Sequence, residues 1–177
     1  MSALEKIAGC ARTERLPFLL AGGHAVIAHG YHRTTFDIDL AVRRADRDKW
    51  LEVMSALGYA LFHEGPAFAQ FNPPAGAAPV DLMFLNEHTF EKLQSAAAPN
   101  RDGEGFPSVI CLRDLLAMKC HAIKHGHGGR IVKDADDVIQ LFLINRLDPA
   151  ISDWRDLVLK YGTQDLYEKL RRICGGK

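Results

Sequence analysis

The sequence predicts an α/β (α+β) protein, a small mixed β-sheet core flanked by helices and followed by a helical C-terminal part. Three observations predict it. Short apolar runs bounded by turn residues occur at FLLA (18–21), FDIDLAV (36–42) and VDLMFL (80–85), with the length and composition of strands. Apolar residues recur at helical spacing between these runs. After Asn86 the chain becomes almost entirely helical in pattern, which divides it near residue 100 into a core (1–100) and a helical part (101–177) packed on that core.

The elements follow in order. Ala3 to Thr13 carries Leu4, Ile7 and Ala8 at helical spacing among charges. Pro17 breaks that pattern and FLLA forms a first strand; Gly22 and Gly23 turn the chain into a helix from His24 to His29. A loop leads to a strand at Phe36–Val42. Asp46 is expected to cap a helix that runs to Leu57 and ends at Gly58, with Trp50, Leu51, Val53, Met54 and Leu57 as its apolar stripe. Two short strands around Leu61 and Phe68–Phe71 are joined by the Glu64–Pro66 turn, and Val80–Leu85 is a further strand. Helices are then expected at Glu87–Ala97, Leu112–Lys124, Ile131–Ile144, Ser152–Lys160 and Asp165–Ile173, with a polar loop PNRDGEGFP after the first of them.

Composition narrows the function. With 22 basic and 22 acidic side chains the formal net charge is zero, which argues against broad charge-driven binding to nucleic acid. Four cysteines at 10, 111, 120 and 174 form no CxxC pair and no disulfide framework, so a reducing, cytoplasmic setting is expected. The first residues lack the apolar stretch of a signal peptide, and no run approaches the roughly 18 apolar residues of a membrane span.

The chemistry concentrates in GGHAVIAHGYHRTTFDIDLAV. Side chains alternate along a strand, so Asp37 and Asp39 share one face while Ile38 and Leu40 point into the core. Two carboxylates that close repel, and a cation between them relieves the repulsion. Mg²⁺ takes oxygen ligands from one or two carboxylates and from substrate phosphates. The Gly22–Gly23 pair opens a helix whose N–H groups suit an anion. The plainer alternatives are solvated edge carboxylates and an ordinary tight turn.

This combination of an apolar strand, a Gly-Gly helix start and Asp37-Ile38-Asp39-Leu40 resembles the DNA polymerase β-like nucleotidyltransferase superfamily over about Leu16 to Leu85. With Arg33 and Thr34 just ahead of the aspartates it is most similar to the small nucleotidyltransferases of bacterial toxin–antitoxin and abortive-infection systems. The resemblance implies that Asp81 is the third carboxylate, and that Asp37, Asp39 and Asp81 hold two Mg²⁺ ions, or Mn²⁺ in their place. It also implies that a nucleoside monophosphate passes from a nucleoside triphosphate to an acceptor hydroxyl with release of pyrophosphate. Gly22, Gly23, Arg33 and Lys119 become candidate nucleotide contacts, and Lys133-Asp134-Ala135-Asp136-Asp137 is similar to a family helix motif. The acceptor is open between a protein side chain, a tRNA end and a small molecule such as an antibiotic, and a cognate toxin or antitoxin partner is implied. The family often has Ser at the second glycine, which is absent here. The alternative is a nucleotide-binding or protein-interaction module of the same fold with weak or no catalysis.

Several residues have ready alternative explanations. Arg33 would pair with Asp37 or Asp46 if it does not reach a phosphate, Lys119 would lie on a solvated face, and Asp134 would answer the helix macrodipole. His121 and His125 share a helix face near Cys120 and His127, but the four ligands of a structural zinc site are not evident.

Overall fold

The computed structural model describes residues 2–99, 107–126 and 128–175. The chain forms two units: Met1–Ala28 with Thr34–Cys111, and His29–Arg33 with Leu112–Lys177. Most of the expected PNRDGEGFP loop, and His127, lie outside the described residues.

The first unit opens with helix α1 (Ala3–Thr13), started by a reciprocal pair of bonds between Ser2 and Glu5. Strands β1 (Phe18–Leu20), β2 (Ile38–Arg43), β3 (Ala60–Glu64), β4 (Phe68–Asn72) and β5 (Val80–Leu85) form a mixed sheet in the order β1-β2-β5-β4-β3. The central pair β2–β5 is parallel and the other pairs are antiparallel. Leu40, Ala41, Val42, Val80, Leu82 and Phe84 of this pair are buried, as a near-continuous apolar run in a covered parallel strand requires. Helix α2 (Gly22–Ala28) and helix α4 (Glu87–Ala96) pack on β2, and helix α3 (Arg47–Ala56) packs on α1.

Local chemistry explains the boundaries. Gly58 adopts φ +82° and donates to the Ser55 carbonyl, while the Tyr59 N–H reaches Met54, the paired bonds that close α3 around a left-handed glycine. Asn86 caps α4 by accepting from the Thr89 N–H at 2.9 Å. Asp46 departs from expectation. It makes no side-chain cap bond; its Oδ2 instead accepts from Arg43 Nε at 2.7 Å, a charge-assisted partner that outcompetes a backbone N–H. The second strand also starts at Ile38 rather than Phe36, because ladder bonding begins where the Ile38 N–H reaches the Pro79 carbonyl, leaving Phe36 exposed.

The second unit consists of helices α5 (Leu112–His125), α6 (Gly129–Ile144), α7 (Ser152–Tyr161) and α8 (Gln164–Cys174) together with the loop His29–Arg33. Its core is built from Leu115, Leu116, Cys120, Val138, Leu141, Phe142, Leu157, Val158 and Leu170. Among the described residues, no helix is long and apolar enough to cross a membrane.

Candidate active site

Sheet register builds the site. β1 runs antiparallel to β2 with Leu20 opposite Leu40, so the Ala21 N–H donates to the Asp39 carbonyl at 2.9 Å and the chain turns beside Asp39. Gly22 makes that turn at φ +53°. A Cβ there would lie 1.7 Å from Asp39 Oδ2, so any side chain at this position would have to displace the Asp39 carboxylate and would strain the backbone as well. The first helical bond of α2 is from the Ala25 N–H to the Ala21 carbonyl at 3.1 Å, which places the Gly22 and Gly23 N–H groups ahead of the ladder.

On the other side of Asp39, parallel pairing sets Asp81 directly across from it. Registered neighbours in adjacent strands share a face, and Asp37 joins that face by the two-residue period. One carboxylate oxygen from each of Asp37, Asp39 and Asp81 lies within 4.8 Å of the others, and all three residues are half-buried. Three converging oxygen donors, two of them on paired strands and the third on the residue that precedes β2, form a group able to hold a hard divalent ion.

Two further side chains orient the carboxylates. Thr35 Oγ1 donates to Asp37 Oδ1 at 2.9 Å, and Gln70 Nε2, registered against Asp81 across β4–β5, donates to Asp81 Oδ2 at 3.1 Å. Sequence reasoning missed both. The signal for Gln70 lay in FAQFN, where a polar side chain sits between buried Ala69 and Phe71 and therefore shares the opposite face with the acidic row.

The other candidate residues gather in the second unit. Arg33 grips Asp137 with two parallel bonds, Nε to Oδ1 at 2.6 Å and Nη2 to Oδ2 at 2.8 Å. Lys119 Nζ lies 2.5 Å from Asp134 Oδ1 and 2.8 Å from Asp137 Oδ2. Burial alone would raise the Asp137 pKa, but hydrogen bonds and charge from Arg33 and Lys119 outweigh it and hold the carboxyl below its usual range. Three sequence expectations change here. Arg33 pairs with Asp137, 104 residues away, a partner that no local pattern suggested. Lys119 is buried and not on a solvated face, and Asp134 is buried against it, past the first turn of α6. Long-range ion pairing, invisible to local pattern, decides all three. His121 and His125 stack with ring centroids 4.4 Å apart, and among the described residues no third ligand joins them toward the four a structural zinc needs.

No protein-family model matches the sequence, and no curated protein does either. Solved structures do match. The antibiotic-resistance factor ANT(2'')-Ia aligns over 94% of this chain and 92% of its own, with a TM-score of 0.62 at 15% identity. The chain has the nucleotidyltransferase fold. An antigenic nucleotidyltransferase-like protein from Paracoccidioides brasiliensis shares that fold at a TM-score of 0.54 and 14% identity, over 95% of this chain and 90% of its own. The lincomycin-bound lincosamide adenylyltransferase LnuA shares it at 0.53 and 16%, over 78% of this chain and 93% of its own. Within the nucleotidyltransferase fold of this chain, the acidic face of β2 and β5 and the turn at Gly22 lie side by side.

Proposed function

We propose that the chain is a metal-dependent nucleotidyltransferase that moves a nucleoside monophosphate from a nucleoside triphosphate to an acceptor hydroxyl, releasing pyrophosphate. The observation that carries this reading is the convergence of Asp37, Asp39 and Asp81 within 4.8 Å, beside a glycine that the Asp39 carboxylate itself forbids to change.

The residues fit a hard divalent ion. Their donor set is all carboxylate oxygen, and their mutual repulsion is relieved by positive charge. Asp37, Asp39 and Asp81 would hold Mg²⁺, which when bound neutralises charge on the triphosphate and polarises the reacting oxygens. Asp81, which accepts a hydrogen bond from Gln70, would take the proton of the acceptor hydroxyl. The Gly22–Gly23 backbone, lying against Asp39, offers N–H groups to the phosphates without a side chain in the way. Arg33 and Lys119 already hold carboxylates of α6, Arg33 that of Asp137 and Lys119 those of Asp134 and Asp137. Their engagement with Asp134 and Asp137 supports a role as struts better.

For the acceptor we favour a small hydroxylated molecule. ANT(2'')-Ia, which spans nearly the same length of chain, has been seen with adenylyl-2''-tobramycin, and LnuA with lincomycin. A formal net charge of zero fits such an acceptor better than a long polyanion.

The test is incubation with Mg²⁺ and each α-labelled nucleoside triphosphate against panels of aminoglycosides, lincosamides, tRNA and the protein itself, with Asp39→Ala alongside. Labelled product and pyrophosphate that vanish in Asp39→Ala support transfer and name the acceptor. Nucleotide binding without product from any acceptor would refute it in favour of a binding module.

A further inference from the structure

Sheet register carries the acidic face past the triad. Asp39 stands across from Asp81 on β5, Asp81 across from Gln70 on β4, and Gln70 across from His63 on β3. Paired residues of adjacent strands point to one side, so these four side chains form a row across the sheet. A second row runs beside it, because Ala41 is registered with Met83 and Met83 with Phe68. Leu82 and Ala69, which alternate with these residues along β5 and β4, are buried on the opposite side. On the near side Asp81, Gln70 and Met83 are half-buried, and Phe68 and His63 are exposed.

Two features of the β3–β4 hairpin shape the far end of this face. The register shifts between Leu61 and His63, so the imidazole stands opposite Gln70 where an unbroken ladder would place Phe62. The Phe68 ring then leans on both His63 and the turn: the two ring centroids are 5.3 Å apart, and a Cβ on Gly65 would lie 2.9 Å from Phe68 Cε1. An aromatic surface held in this way loses little freedom when a ligand covers it.

The face also has a direction. Gly22 lies against Asp39, on the side from which β1 enters. In an in-line displacement the leaving and attacking oxygens stand on opposite sides of the reacting phosphorus. With pyrophosphate at the glycines, the hydroxyl arrives over Asp81, and the rest of the acceptor extends over β4 and β3. By strand spacing His63 is about 10 Å from Asp81, the reach of a small molecule. The side chains along that reach are Gln70, Met83, Phe68 and His63, none of them acidic, so they offer a polycation nothing beyond the carboxylates that the metal would engage. Gln70 donates Nε2 to Asp81, which leaves its Oε1 to accept from a hydroxyl.

We propose that the acceptor is a weakly charged, hydroxylated ring compound that lies on the β5–β4–β3 face, with Phe68 and His63 as the specificity-determining residues. This rests on the nucleotidyltransferase reading of the triad and the glycine turn.

The test is steady-state transfer from α-labelled nucleoside triphosphate to weakly charged lincomycin, polycationic tobramycin, tRNA and the protein itself. Wild type is compared with Phe68→Ala, His63→Ala and Phe68→Tyr, with exposed Ile173→Ala as control and melting temperatures alongside. Lincomycin should be the preferred acceptor. Its KM should rise about two- to tenfold in Phe68→Ala and His63→Ala, the scale of one lost ring contact, and stay near wild type in Phe68→Tyr. The KM for triphosphate and the affinity for Mn²⁺ should not move. Preference for tobramycin, tRNA or protein overturns the proposal, as does a wild-type acceptor KM in both alanine variants or a rise in the triphosphate KM in its place. If wild type labels nothing in the panel, the transferase reading fails, and lincomycin titrated onto the Mg²⁺-loaded chain decides the face. A saturable shift of the methyl resonance of isotopically labelled Met83, lost in Phe68→Ala, supports it, and an unmoved resonance overturns it.

Discussion

Replacing Gly22 with alanine tests the site at its tightest point. The new Cβ would stand 1.7 Å from Asp39 Oδ2, half the 3.4 Å at which ordinary contact begins, and 2.3 Å from its Cγ. The carboxylate must move by more than an ångström, whereas metal–ligand distances tolerate about 0.2 Å. The backbone adds its own cost, because holding a non-glycine residue at φ +53° is worth roughly 1–3 kcal/mol. Gly76 separates the two contributions: it has φ +76° in the same unit, with nothing within 4 Å of an added Cβ. Gly22→Ala and Gly76→Ala should therefore both lower the melting temperature, by roughly 2–4 °C for each kcal/mol. Only Gly22→Ala should weaken Mn²⁺ binding, by at least about tenfold, the usual scale for disturbing a ligand set. Paired calorimetry and thermal melts give both numbers. A Gly22→Ala protein with wild-type Mn²⁺ affinity would refute the placement of Asp39 as a ligand beside the glycine turn.

Further outcomes follow from the same geometry. Gln70→Leu should reduce Mn²⁺ affinity or nucleotidyl transfer by about 10–100-fold by freeing Asp81, and Asp81→Asn by more, as steady-state assays of both variants would show. Asp137→Ala leaves Arg33 and Lys119 charged and largely buried without their shared partner, so denaturation should show a loss of about 3–5 kcal/mol at neutral pH. Because the folded pKa of Asp137 is depressed, its contribution is present above the unfolded value of 3.8 and is lost as pH falls through the folded one. The stability gap between wild type and Asp137→Asn should accordingly close below about pH 4 in urea titrations. Burial pushes the Cys120 thiol up to about 12, so mass spectrometry after iodoacetamide at pH 8 should find Cys120 unmodified in the folded chain and alkylated once it unfolds.

Local pattern carried much of the fold. The strand Val80–Leu85 and the helix Ala3–Thr13 stand where apolar spacing and punctuation put them, and α5 to α8 differ from expectation by one or two residues at their ends. Periodicity and turn chemistry are properties of neighbouring residues, and a sequence displays them directly. The shared face of Asp37 and Asp39 was legible for the same reason, as a consequence of the two-residue period of an extended chain. The position of Asp81 was different: only a family resemblance suggested it, and its place opposite Asp39 depends on β2–β5 register, which no local feature states. Gln70 behind Asp81, the collision that reserves Gly22 for glycine, and the capture of Arg33 and Lys119 by Asp137 likewise join residues far apart in sequence. For Arg33 the bidentate partner lies 104 residues away, where a buried carboxylate excludes competing water and holds a guanidinium in two bonds. By itself, then, the sequence determined the elements and the acidic face. Tertiary structure alone decided which charges meet, because ion pairing acts through distance in space and is indifferent to separation along the chain.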